Sequence, residues 1–132
     1  MHQATKKLNQ KHLSHLRQMA GKLRLETYQL CHSLFGREPF LTASLGEFSR
    51  KCGKSNCHCS RDGRPHAVRV LRWTEEGKTK VRGVRPEEWG DLSQLTERYR
   101  QFRVCRHRLV KLHKEMLKLI HAAEKERQIR PK

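Results

Sequence analysis

Apolar residues return at alternating steps of three and four in two long stretches of the chain. The first holds Leu13, Leu16, Ala20, Leu23, Thr27, Leu30 and Leu34, a spacing that puts all seven on one side of an α-helix. Gly36 is the expected stop. The second, from about Asp91 to Arg127, runs through Leu92, Leu95, Tyr99, Phe102, Arg106, Leu109, His113, Met116, Ile120 and Ala123. So sustained a stripe predicts a coiled-coil type of contact, with Asp91 or Ser93 as the cap. The two stripes either bury each other in an antiparallel hairpin or pair between chains in a homodimer, because a helix this long seldom hides its stripe alone. Arg106 and His113, read as lying within the stripe, would fix register in either case.

Between the helices the pattern changes to short runs. HAVRVLRWT and KTKVRGV are dense in Val, Leu, Trp and Thr and are separated by EEG, which predicts a β-hairpin. Arg85-Pro86-Glu87-Glu88-Trp89 predicts a helical first turn, with proline at its start and two acids near the positive end of the dipole. The expected organisation is an N-terminal helix over 1–35, a small β module over 36–90 and a long basic helix over 91–132. Together these form one structural domain, α+β and mainly α.

Composition narrows the class. In 132 residues only 35% are hydrophobic and 33% are charged, with 30 Lys and Arg against 13 Asp and Glu, a formal charge of +17. The surface field is strongly positive and its natural partner is a polyanion. No stretch has the length and apolarity of a membrane span or of a signal-peptide core, so the expected location is the cytoplasm and no membrane is expected as a partner.

The β module contains CGKSNCHC, which places Cys52, Cys57 and Cys59 within eight residues. In a reducing compartment so tight a cluster points to a metal or a catalytic thiol before a disulfide framework. A structural zinc takes four thiolate or imidazole ligands in a tetrahedron. Three are at hand, and His66, opening the first expected strand, is the fourth candidate, with Asp62 a weaker donor. Redox thiols and an iron–sulfur or catalytic metal site are the competing readings. The C-x-x-C of redox proteins and the H-E-x-x-H of zinc hydrolases are absent from the sequence, which favours zinc as scaffold. Forty or so residues with few large apolar groups need such a staple.

Taken together, ASLGEFSRKCGKSNCHC, the following His66, a hairpin carrying GKTKVR and a helix opening near Pro86 resemble an uncharacterised family of small prokaryotic domains. The resemblance covers roughly residues 43–127. It implies a zinc-binding β-hairpin-plus-helix domain, with Cys52, Cys57, Cys59 and His66 as ligands, and kinship with proteins found near mobile elements, so a larger mobile-element protein is an implied partner. After His66 the family tends to Gly-Pro and tyrosines, where this chain has AVRVLRW with Trp73 as the local aromatic.

The positive charge surrounds the same region. Arg50, Lys51, Lys54, Arg61 and Arg64 flank the cysteines, Arg69 and Arg72 lie on the first expected strand, and Lys78, Lys80 and Arg82 alternate on the second, so those three share a face. Arg100, Arg103, Lys111 and Lys114, with Lys118, extend the track along the last helix. With only 6% aromatic residues, base stacking is a poor device here and phosphate contacts are the better one. The leading expectation is therefore a non-enzymatic, zinc-containing accessory protein that binds DNA or structured RNA, serving a transposase, recombinase or RNA-guided complex. The alternative is a coiled-coil adaptor between proteins. Glu75, Glu76, Glu87 and Glu88 fall where a turn and a helix start explain them, so catalysis is not expected.

Overall fold

A capped helix opens the structure, a computed structural model that describes residues 7–50, 55–56, 63 and 66–132. Helix α1 spans Gln10–Leu34. The Asn9 side chain accepts a hydrogen bond from the backbone N–H of His12 at 3.0 Å, satisfying one of the unpaired donors of the first turn. Phe35 closes the helix with its N–H on the Cys31 carbonyl, and the N–H of Gly36 donates to Ser33. A side chain at Gly36 would bring its Cβ to 3.2 Å from that Ser33 oxygen, tighter than ordinary packing allows.

Three antiparallel strands follow, β1 (Ser44–Arg50), β2 (His66–Glu75) and β3 (Lys78–Gly83), in the order β1-β2-β3. Strand β1 was not expected from the sequence. SLGEFSR carries Gly46 and two charges and lacks the β-branched density that marks β2. Its place beside β2 comes from pairing along its whole length, from Ser44 opposite Arg72 to Arg50 opposite His66. The β2–β3 turn has Glu76 at φ 51° and Gly77 at φ 76°, the two left-handed residues of a type I′ hairpin, whose twist matches that of the strands.

Pro86–Glu88 form a single 3-10 turn that runs into helix α2 (Trp89–Arg127). The helix therefore starts before Asp91 and Ser93, and neither is its cap. Glu88 serves that end, its carboxylate accepting from the backbone N–H of Arg85 at 3.0 Å.

Chain contacts divide the molecule into two units, one of Glu38–Gln101 and one of the chain up to Arg37 with Phe102–Lys132. In the first, Val70 and Leu71 are both buried although adjacent, so the central strand is covered on both faces at that point. Ala43 and Thr96 are buried with them. The Thr96 hydroxyl donates to the Leu92 carbonyl at 2.8 Å, which removes the cost of burying it. The segment before β1 is tied to α2 by the Leu41 N–H on the Leu95 carbonyl, by Arg98 with Glu38 at 3.1 Å, and by the Phe40 and Tyr99 rings at 5.5 Å.

In the second unit α1 and α2 run antiparallel. Glu26 meets Arg108 near one end, and near the other the Asn9 N–H donates to Glu126 at 2.9 Å. Leu13, Leu16 and Leu112 are the buried centre, Leu112 being 1% exposed. The stripe of α1 is as expected, and so is most of that of α2, with Phe102, Leu109, Met116 and Ala123 partly covered, but at three turns the packed position lies one residue earlier. Cys105, Leu112 and Leu119 turn inward while Arg106, His113 and Ile120 are exposed. The two polar residues thus do not interrupt the packed face, and neither can set its register. The physical reason is that α2 carries two apolar stripes side by side, and the longest regular spacing in the sequence threads between them.

Candidate nucleic-acid interface

The cysteine cluster falls outside the described residues. Cys52, Cys57, Cys59, Lys51, Lys54, Arg61 and Arg64 all belong to the connection between β1 and β2, residues 51–65, whose ends are the paired positions Arg50 and His66. His66 opens β2, where the sequence places it, at the mouth of that connection. Among the described residues no group of three or more His, Cys, Asp or Glu is arranged to hold a metal ion.

The sheet sorts the remaining strand cations by face. Opposed residues of an antiparallel pair share a face, and the register sets Leu71 against Arg82, Trp73 against Lys80 and Glu75 against Lys78. Lys78, Lys80 and Arg82 therefore do share a face, and all of β3 is exposed. Arg69 lies on that face too, but Arg72 lies on the other, opposite Val81.

Two of these cations are held by the start of α2. Arg69 stacks its guanidinium over the Trp89 ring at 4.5 Å, a cation–π contact. Arg82 forms a two-pronged pair with Glu88, at 2.8 and 3.3 Å. That pair and the Arg85 N–H hold the Glu88 carboxyl down to about 2. Nothing local to the hairpin marks Arg69 and Arg82 as structural anchors, because Glu88 and Trp89 lie beyond it. Lys78 and Lys80, nearer the turn, are the cations of this face that stay exposed without such an anchor.

Helix α2 offers a longer surface. Arg103, His107, Lys111, Lys114, Lys118, His121 and Lys125 recur at steps of three and four, and every one is exposed. At 1.5 Å per residue this ridge is about 33 Å long. No ridge position is acidic: Glu115 borders it with its carboxylate 4.0 Å from Arg108, Glu126 accepts from Asn9, and Glu124 lies about 100° round the helix from the ridge axis. Arg100, just before the ridge, is bound by Glu97 through two hydrogen bonds of 2.9 and 2.7 Å, which hold the Glu97 carboxyl down to about 2. Of the track expected on this helix, Arg103, Lys111, Lys114 and Lys118 stand in the ridge, while Arg100, which the same spacing would add at its start, is bound by Glu97. His107, His121 and Lys125 were missed as members; the signal that finds them is the three-and-four spacing of the cations themselves.

Among the described residues no helix is long and apolar enough to cross a membrane. No curated protein and no solved structure matches this chain. One family model does, described as a domain of unknown function, over residues 26–94. That span is just over half of the chain and takes in the end of α1, the whole sheet with its cysteine-bearing connection, and the start of α2, so the protein belongs to the DUF6788 family.

Proposed function

We propose that the protein is a non-enzymatic, zinc-containing nucleic-acid-binding accessory protein that grips the phosphate backbone of DNA or structured RNA. The observation that carries this reading is the ridge from Arg103 to Lys125, unbroken by acid and exposed throughout. A line of lysines and arginines interleaved with histidines is poorly suited to a small ligand and well suited to a repeating polyanion, whose condensed counterions it releases on binding. Lys78 and Lys80 on the sheet supply a second, shorter contact.

Zinc enters the reading through the chemistry of the donors. Cys52, Cys57, Cys59 and His66 are of the types a structural site uses, and the connection that bears them is closed by the pairing of Arg50 with His66. Ordering so long a connection costs entropy that a bound metal would offset. The mobile-element association implied by the family resemblance makes a transposase, recombinase or RNA-guided complex the machine that such a protein serves.

The test is a binding titration of full-length protein on duplex DNA and on a structured RNA over a range of salt concentrations. The expected result is submicromolar affinity at low salt, falling steeply as salt rises. Binding that ignores salt, or the absence of binding at low salt, would remove the proposal.

A further inference from the structure

The helical unit carries a second surface that nucleic acid does not explain. Along one flank of α1, Arg17, Gly21, Arg24, Tyr28 and Cys31 recur at steps of three and four. Along α2, Arg106, Val110, His113, Leu117, Ile120 and Arg127 share a flank in the same way. Both flanks open on the same side, because Arg17 and Ile120 line one groove between the helices, a cavity of about 410 Å³ that also takes in Leu13, Ala20, Met116 and Arg127. The apolar members are conspicuously open to solvent: Tyr28 is 71% exposed, Leu117 55%, Ile120 51% and Val110 48%. A patch of this kind on a protein with few large apolar residues marks an interaction site.

We infer that this groove docks an acidic amphipathic helix of a partner protein. Shape fits a helix, since the apolar positions run parallel to α1 and α2 and offer a trough between them for a third rod, the helix-in-groove mode of recognition. Charge chooses among helices. Arg17 and Arg127 line the groove, and by helical spacing Arg24 and Arg106 continue its two flanks beyond it, with Glu124 as the acid on the α2 flank. A second copy of this chain would set those same arginines against themselves. A helix with leucines inward and carboxylates at its margins would meet apolar side chains in the trough and a guanidinium at each edge. By helical spacing the ridge for phosphate borders this groove along α2 without sharing a residue with it, so the two partners would use different side chains of neighbouring faces.

The test uses full-length protein and two synthetic helical peptides, one with leucines spaced three and four apart and glutamates elsewhere, the other with lysine for every glutamate. The expected result is saturable binding of the glutamate peptide, followed by fluorescence anisotropy, with the lysine peptide at least about tenfold weaker. Leu117→Asp should weaken the glutamate peptide by about tenfold or more. Tyr28→Ala, which trims a side chain already in solvent, should weaken it without touching the fold, and Val104→Asp, on the opposite side of α2, should leave it unchanged. Arg17→Glu with Arg106→Glu should reverse the preference. Equal binding of both peptides, or of neither, would overturn the inference, as would sedimentation of the wild type as a dimer that Leu117→Asp dissolves, which would assign the groove to a second copy. Nucleic-acid binding measured on the Tyr28→Ala protein, whose change lies on α1 away from the ridge and adds no charge, separates this inference from the proposed function, since it should be retained whichever way the peptide result falls.

Discussion

Glu26 on α1 and Arg108 on α2 are 82 residues apart in sequence and share two hydrogen bonds, of 2.7 and 3.1 Å. The guanidinium lowers the pKa of the Glu26 carboxyl below its ordinary value. The pair is about 40% exposed on each side, so its worth is modest and screened by salt. Its geometry nonetheless selects one alignment of the two helices, which the Asn9 contact to Glu126 repeats at the other end.

Acid should reveal these carboxylates. Glu26, Glu88 and Glu97 are all depressed, the last two to about 2. A group with a folded pKa below its unfolded value stabilises the fold above the unfolded pKa and loses that contribution as pH falls through the folded one. Stability should therefore decline from about pH 4.5 toward pH 2, and Glu88→Gln should flatten part of that decline. Chemical denaturation at a series of pH values measures it; an unaltered slope in the variant would show that Glu88 takes no part.

Leu112 is the most deeply buried side chain of the helical unit. Leu112→Ala should cost about 2–5 kcal/mol, whereas Leu117→Ala, one residue off the next turn and half exposed, should cost less than about 1 kcal/mol. Urea unfolding of the two variants checks which face of α2 is packed. Equal losses would mean that both stripes are packed.

Glu76 holds a left-handed φ of 51°, a conformation that costs a side chain with a Cβ roughly 1 kcal/mol and that Asn tolerates better. Glu76→Asn should stabilise the hairpin by about 0.5–1 kcal/mol. A thermal melt that does not rise would contradict the type I′ assignment.

Lys111, Lys114 and Lys118 changed together to Gln should leave the helix content intact and weaken nucleic-acid binding equally for all sequences. The salt slope should fall by about three units. The same change on Lys78 and Lys80 should have a smaller effect of the same kind. Wild-type affinity and slope in the helix variant would move the interface elsewhere.

Cys57→Ser should remove zinc, measured by elemental analysis against protein concentration, and should disorganise the sheet while α1 and α2 stay substantially helical by circular dichroism. Full metal content in that variant would exclude the cysteine as a ligand.

The two helices were legible because their apolar stripes persist over many turns. So was the tight turn at Glu76-Gly77, because its residues are local. The same local reading failed for β1, whose strand character is conferred by β2, and for Arg69 and Arg82, whose partners come from the next element. It also placed Arg106 and His113 in a packed face, because spacing alone cannot tell one broad apolar sector from two narrow ones. Only the positions of α1 decide which stripe of α2 is inside.

The second half of α2 carries three surfaces at once: a face against α1, a basic ridge and an apolar flank. Each is defined by angle about a single axis. A one-residue insertion ahead of Lys111 would turn everything after it by about 100°, sending lysines toward α1 and leucines toward solvent. Insertion of seven residues returns the helix almost to phase and merely lengthens it. Natural variation in the length of this helix should therefore come in steps of about seven, and tolerance to substitution along it should repeat with the same rhythm.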